Sequence, residues 1–176
     1  MKFASLLLLV VMALAPAMDF EVGVGSGLLY PVGDWGQYLG SGVSLRGWAS
    51  YRMNRYLQTG MGLNASLYGD GYDGDASLSM IAPEALFAAY INPSSSSFNP
   101  GVELGLGMAR SSLSSRGNSD PSTWDPWWRA GFRWEFGLGS GFKGKTGFDL
   151  SGALGQEQSA ESFGLVLCLS RRVDLL

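Results

Sequence analysis

Residues 128–138 read W-R-A-G-F-R-W-E-F-G-L, which puts Trp128, Ala130, Phe132, Trp134, Phe136 and Leu138 on one side of an extended chain and Arg129, Gly131, Arg133, Glu135 and Gly137 on the other. Strict alternation of this kind is the period-2 signature of a β-strand with one apolar face. A strand in a globular protein usually runs about five or six residues, whereas one tilted across a bilayer needs about nine to eleven. The length of this segment therefore predicts a membrane-crossing strand.

Seven further segments alternate in the same way. Segment 19–30 sets Phe20, Val22, Val24, Leu28 and Tyr30 against Glu21, Gly23, Gly25 and Gly27. Segment 42–52 sets Val43, Leu45, Ala49 and Tyr51 against Ser44, Arg46, Trp48 and Ser50, and segment 56–67 sets Leu57, Met61, Leu63, Ala65 and Leu67 against Gln58, Gly60, Gly62 and Asn64. Segment 77–91 is the weakest, because Ala85-Leu86-Phe87-Ala88-Ala89 favours helix and Pro83 could open one. It is read as a strand with a bulge or irregularity near Pro83. Val102, Leu104, Leu106 and Met108 then face away from Glu103, Gly105 and Gly107 in segment 101–110. In segment 142–154, Phe142, Phe148, Leu150 and Leu154 oppose Lys143, Lys145, Asp149 and Ser151; in segment 162–172, Phe163, Leu165, Leu167 and Leu169 oppose Ser162, Gly164 and Ser170.

The connections alternate in length, with short turns at 54–55 and 139–141 and longer stretches such as 31–41 and 111–126. Outer-membrane barrels combine short periplasmic turns with longer external loops. That rule places the N-terminus in the periplasm and the loops around Trp35, Asp73, Asp120 and Gln158 outside.

The start of the chain fits export: Lys2 is a basic n-region, residues 6–14 are an apolar h-region, and Ala15-Pro16-Ala17 is a small-x-small cleavage site. Cleavage after Ala17 leaves one domain, residues 18–176, and the absence of a Cys near the cut argues against a lipid anchor. No later stretch is long and apolar enough for a spanning helix.

Charged residues are 15% of the chain, against about 25% in soluble domains. Gly, at 26 of 176 residues, is about twice its usual share. Few charges and much Gly suit a lipid-facing exterior and a cramped lumen. The mild net acidity gives no nucleic-acid footprint. Cys168 is the one cysteine, so no intramolecular disulfide is possible, and it reads as a small strand residue.

A soluble barrel around an apolar pocket is the competing architecture. Its outer face would be rich in long Lys and Glu, yet the polar faces here are mostly Gly and Ser. Aromatic residues also gather at strand ends, with Phe20, Tyr51, Tyr90, Phe136 and Phe142 at one rim and Tyr30 and Trp128 at the other, as in membrane-interface girdles. The expected fold is an all-β, eight-stranded antiparallel up-and-down transmembrane β-barrel. Trp128, Phe132, Trp134 and Phe136 then face lipid. The same parity sends Glu21, Arg46, Glu103, Arg129, Arg133, Glu135, Lys143, Lys145 and Asp149 into the lumen, where charges must pair. The strongest expected partners join the sixth and seventh strands.

The leader, the eight alternating segments and G-L-L-Y-P-V-G-D at 27–34 resemble the small outer-membrane β-barrel family that includes the OmpA transmembrane domain and OmpX. The resemblance implies the outer membrane of a diderm bacterium, contact with outer-membrane lipid, help from the barrel-insertion machinery, and a monomer. The chain departs from that family at Val173-Asp174-Leu175-Leu176, where an aromatic terminal residue is common.

Residues 139–146, G-S-G-F-K-G-K-T, match the phosphate-binding loop G-x-x-x-x-G-K-[ST], but that loop needs a helix to follow and residues 147–155 alternate instead. They read as a hairpin turn entering a strand. Asp70, Asp73 and Asp75 miss the calcium-loop spacing and read as a solvated acidic loop, and Asn64-Ala65-Ser66, an acceptor pattern for glycosylation, lies within a strand. The chain has no His. The barrel enzymes of the outer membrane resemble one another in using a His as acid or base, and a Ser without such a partner is poorly activated. No catalytic residue, cofactor or metal site is expected. Two functions remain, a structural anchor or surface-interaction protein with a filled lumen and a narrow channel for small solutes, and an eight-stranded barrel is just wide enough to be filled by its own side chains.

Overall fold

A computed structural model describes residues 19–33, 35–70, 76–91, 98–115, 118–119, 124–154 and 159–174; the leader and Asp73, Asp75, Asp120 and Gln158 lie outside these residues. Its eight long strands are β1 (Asp19–Val32), β2 (Leu39–Arg52), β3 (Leu57–Asp70), β4 (Ala76–Tyr90), β5 (Asn99–Ser115), β6 (Trp124–Gly139), β7 (Phe142–Leu154) and β8 (Ser159–Asp174). A four-residue helix, α1 (Trp35–Tyr38), lies between β1 and β2. Each strand pairs antiparallel with the next, and β1 pairs with β8 from Asp19↔Asp174 to Val32↔Glu161, which closes the sheet into a barrel.

The register fixes the geometry. Following paired residues from Glu21 through Ser50, Gly60, Leu86, Gly105, Arg129, Ser151 and Ser162 returns to β1 at Pro31, a stagger of ten residues. Ten steps of about 3.3 Å against eight spacings of about 4.8 Å tilt the strands by about 40°. Because the stagger is even, parity survives the full circuit, and one set of alternate residues points inward on every strand. A one-residue slip would exchange the two sets.

Local chemistry makes the tight turns. Gly139, Ser140 and Gly141 all have positive φ, at 86°, 53° and 77°, and the register shifts between Gly137 and Gly139. A run of left-handed residues is costly without Gly, so the sequence that imitates a phosphate loop is the tip of the β6–β7 hairpin. At the β2–β3 turn, the Asn54 side-chain oxygen accepts the backbone N–H groups of Tyr56 at 2.8 Å and Leu57 at 3.0 Å, an Asx-type turn.

Three local expectations are corrected. β4 runs through Pro83 with no bulge: its register with β3 is continuous through Leu63↔Pro83. Its register with β5 is the same on both sides of the gap at Ala82 and Pro83. Proline costs only one donor here, on the β5 side, and β4 is apolar on both faces apart from Glu84 and two serines, because Leu78, Met80, Ala82, Leu86 and Ala88 fill the lumen while Ile81 and Phe87 face out. Tyr90 is not a rim aromatic but is buried inside, where its hydroxyl meets Glu103 at 3.4 Å. The stretch 111–126 is not all loop: β5 continues to Ser115, β6 begins at Trp124, and a two-residue strand, Asn118–Ser119, pairs with the end of β5. A hairpin that stands clear of the apolar belt needs no apolar face, so alternation could not mark it.

Outside, Met61 is 75% exposed and Val24, Leu45 and Leu167 exceed 60%, part of an apolar belt that runs around the barrel. Soluble monomers rarely show apolar patches beyond a few hundred Å². Trp128, Phe132, Trp134 and Phe136 share this face. Phe132 stacks on Phe148 at 5.8 Å and meets Trp134 edge-on at 4.6 Å, so these rings shield one another. For a lipid-facing belt, Phe132→Arg is expected to destabilise the folded barrel by about 2–4 kcal/mol in urea titrations of protein folded into vesicles. An effect near zero would show that this face meets water.

Candidate functional site

The nine charged residues assigned to the lumen all lie on the inward face, and the structure adds a tenth, Glu84 on β4. Five cations and five carboxylates share a space from which Arg133, at 0% exposure, and Lys145, at 1%, are fully withdrawn. Buried ions survive only when paired and hydrogen-bonded, and the pairs form two layers.

The central layer holds Arg46, Arg129 and Arg133 against Glu84, Glu103 and Asp149. Arg129 grips Glu84 with two nitrogens, Nε at 3.3 Å and Nη2 at 3.0 Å, and sends Nη1 to Asp149 at 3.1 Å, so one side chain links β4 to β7. Bidentate pairing of this kind gives direction as well as charge. Arg133 donates to both Asp149 oxygens, at 2.5 and 2.7 Å, and to the carbonyl of Phe148 at 3.1 Å. Arg46 crosses from β2 to Glu103 at 3.0 Å and Glu84 at 3.4 Å. Trp127 adds an indole donor to Glu84 at 3.2 Å.

The layer nearer the short turns holds Lys143 and Lys145 against Glu21 and Glu135. Lys145 meets Glu21 at 2.5 Å and lies over the rings of Trp48 and Tyr90, at 5.4 and 5.5 Å from their centroids. Lys143, half-buried at the mouth, donates to Glu135 at 2.7 Å. The sixth and seventh strands supply Arg129–Asp149, Arg133–Asp149 and Lys143–Glu135, while the central layer also draws on β2, β4 and β5.

Glycines make room for these side chains. Glu84 packs so closely on Gly105, and Asp149 with Arg133 on Gly131, that a Cβ at either glycine would collide with a carboxylate. Beyond the ions, at the loop end, the lumen turns apolar: Leu29, Leu39, Leu78, Met80 and Trp127 pack together, with Tyr68 bonded to Ser162 at 2.9 Å. This apolar layer has no counterpart in the sequence reading. Asn64 and Ser66 point into the lumen, and Cys168 is buried there as a free thiol between Gly25 and Lys145. Asp70 ends β3, and the rest of the acidic loop lies outside the described residues.

No protein-family model matches this sequence, and no curated protein matches it. Solved structures do. Neisserial surface protein A superposes with a TM-score of 0.71 at 16% identity, over 88% of this chain and 97% of that one. Ail, the attachment invasion locus protein of Yersinia pestis, gives 0.57 at 14% identity, over 90% and 100%. The outer membrane enzyme PagL gives 0.52 at 19% identity, over 84% and 97%. The chain thus has the fold of the small eight-stranded outer-membrane β-barrels, one that carries a surface protein, an attachment invasion protein and an enzyme alike.

Glu84→Gln removes the charge facing both Arg46 and Arg129 while keeping the side chain's size. Stranding a buried charge costs about 3–5 kcal/mol, and the urea midpoint of the folded barrel is expected to fall accordingly; an unchanged midpoint would mean that water, not Glu84, compensates these arginines.

Proposed function

We propose that the protein is an integral outer-membrane β-barrel that acts as a structural anchor or surface-interaction protein, with a lumen closed to solutes. The observation that carries this reading is the closure of the interior by two kinds of layer in series. Ion-paired side chains span the barrel from β2 to β4 and β5 and from β4 to β7. An apolar layer around Leu39, Met80 and Trp127 lies beyond them towards the loop end. A channel needs mobile counter-charges or water along its length, whereas apolar constrictions oppose wetting.

The same geometry favours binding over catalysis. Every lumen carboxylate is engaged by an Arg or Lys, so none is a ready general base. Closure of β1 on β8 leaves no open barrel edge that a partner strand must cover, which supports a monomer in outer-membrane lipid. The names of two of the similar barrels, a surface protein and an attachment invasion locus protein, fit a role performed by loops.

Reconstitution into planar bilayers tests the reading. The anchor predicts no steady conductance from protein whose folding has been verified by its unfolding transition. A stable ohmic conductance from the same preparation would replace the anchor by a channel.

A further inference from the structure

The outer face of β2, β1, β8 and β7 is not smooth. Two adjoining depressions, of about 680 and 490 Å³, lie on it and share Ser26, Leu45 and Leu167. Their volumes fall in the range of ligand pockets, about 300–1,000 Å³. Small outward side chains make the floor: Ser26 lies between its partners Leu45 and Leu167, while Thr146 and Gly144 lie on the other side of the Leu167 and Leu169 ridge. Phe136 leans over Gly144, where a Cβ would strike its ring, and forms the far wall. Thr146 turns its hydroxyl to the carbonyl of Val166 at 3.2 Å, so the floor there shows little free polarity.

One register step nearer the short turns, Val22, Arg171 and Phe142 continue the same outward rows. Arg171 is exposed, and its guanidinium carbon stands 5.2 Å from the Phe142 ring centroid. Among the described residues no carboxylate pairs with it, in contrast to the ten matched charges inside. An outward arginine at the border of an apolar belt, stacked on an aromatic ring, presents a cation at headgroup depth.

We propose that this face is a lipid site: Arg171 holds the phosphate of an anionic glycerophospholipid, and the trough over β1, β8 and β7 seats one of its acyl chains. Charge complementarity selects the occupant, since the trough is apolar and Arg171, with no carboxylate partner among the described residues, stands one register step beyond Leu169 at its end. An arginine near an anionic surface is worth about 1 kcal/mol, roughly a fivefold preference. The inference rests on the reading that the apolar belt lies in a bilayer.

Native mass spectrometry of the folded protein, after exposure to equal amounts of phosphatidylglycerol and phosphatidylcholine, tests it. The wild type is expected to retain one lipid per barrel with a roughly fivefold preference for phosphatidylglycerol. Arg171→Gln should abolish the preference, Ser26→Trp should reduce retention of both lipids by filling the trough, and Arg110→Gln, an exposed change at the loop end, should alter nothing. Equal retention of the two lipids by wild type, a preference that survives Arg171→Gln, or a lipid-free dimer that Ser26→Trp dissolves would each overturn the site. Failure of the wild type to enter vesicles would overturn the membrane reading itself, whereas inserted protein without a lipid preference would sink this site alone.

Discussion

In hydrocarbon every unpaired backbone N–H or C=O costs several kcal/mol, and a sheet escapes that cost only by having no edge. The ladder between β1 and β8 meets this constraint, and the rest of the structure depends on it. Closing eight strands with a stagger of ten residues sets the tilt, and the even stagger keeps each face consistent around the circuit. The exterior then carries a continuous apolar belt, and the interior receives whatever the opposite parity brings. With eight strands that interior is narrow, so large side chains fit only where glycine faces them, as Gly105 faces Glu84 and Gly131 faces Asp149.

The charges inside such a barrel do not stabilise it in any simple way, because desolvation offsets most of the attraction between paired ions. Their effect is on specificity. If β7 slipped by one residue against its neighbours, Lys143, Lys145 and Asp149 would enter the apolar belt, and Glu21 and Glu135 would lose both lysine partners. Pairs that cross the lumen, such as Arg46–Glu103 and Arg129–Glu84, tie together strands that share no backbone hydrogen bonds. The network therefore penalises wrong registers, and it occupies the volume a channel would need.

Much of this is legible in the sequence. Alternation in 128–138 carries strand, face and approximate length, and the same parity puts nine charges of five strands on the inward face they occupy. The failures share a cause. Glu84 was missed because it sits beside Pro83 in a run of Ala, Leu and Phe whose two apolar faces, one to lipid and one to lumen, erase the period-2 signal. Tyr90, at the end of the same strand, looks like a girdle residue for want of a parity reference. The apolar layer of Leu29, Leu39, Leu78, Met80 and Trp127 draws on four strands at once. No local window of sequence contains it. The ends of β5 and β6 look like loop because a strand beyond the belt needs no apolar face.

The central claim is that paired charges close this lumen, and a double-mutant cycle on Glu21 and Lys145 tests it most directly. Removing both leaves Lys143 and Glu135 still matched at 2.7 Å, so the pair can be excised without unbalancing its neighbours. Unfolding by urea in vesicles is expected to show that Glu21→Leu and Lys145→Met each destabilise by about 3–5 kcal/mol. The double variant should lose much less than the sum, because neither charge is then left alone. Additive losses, or single variants as stable as the wild type, would contradict the account and mean that water, not the opposite charge, is the partner of each ion.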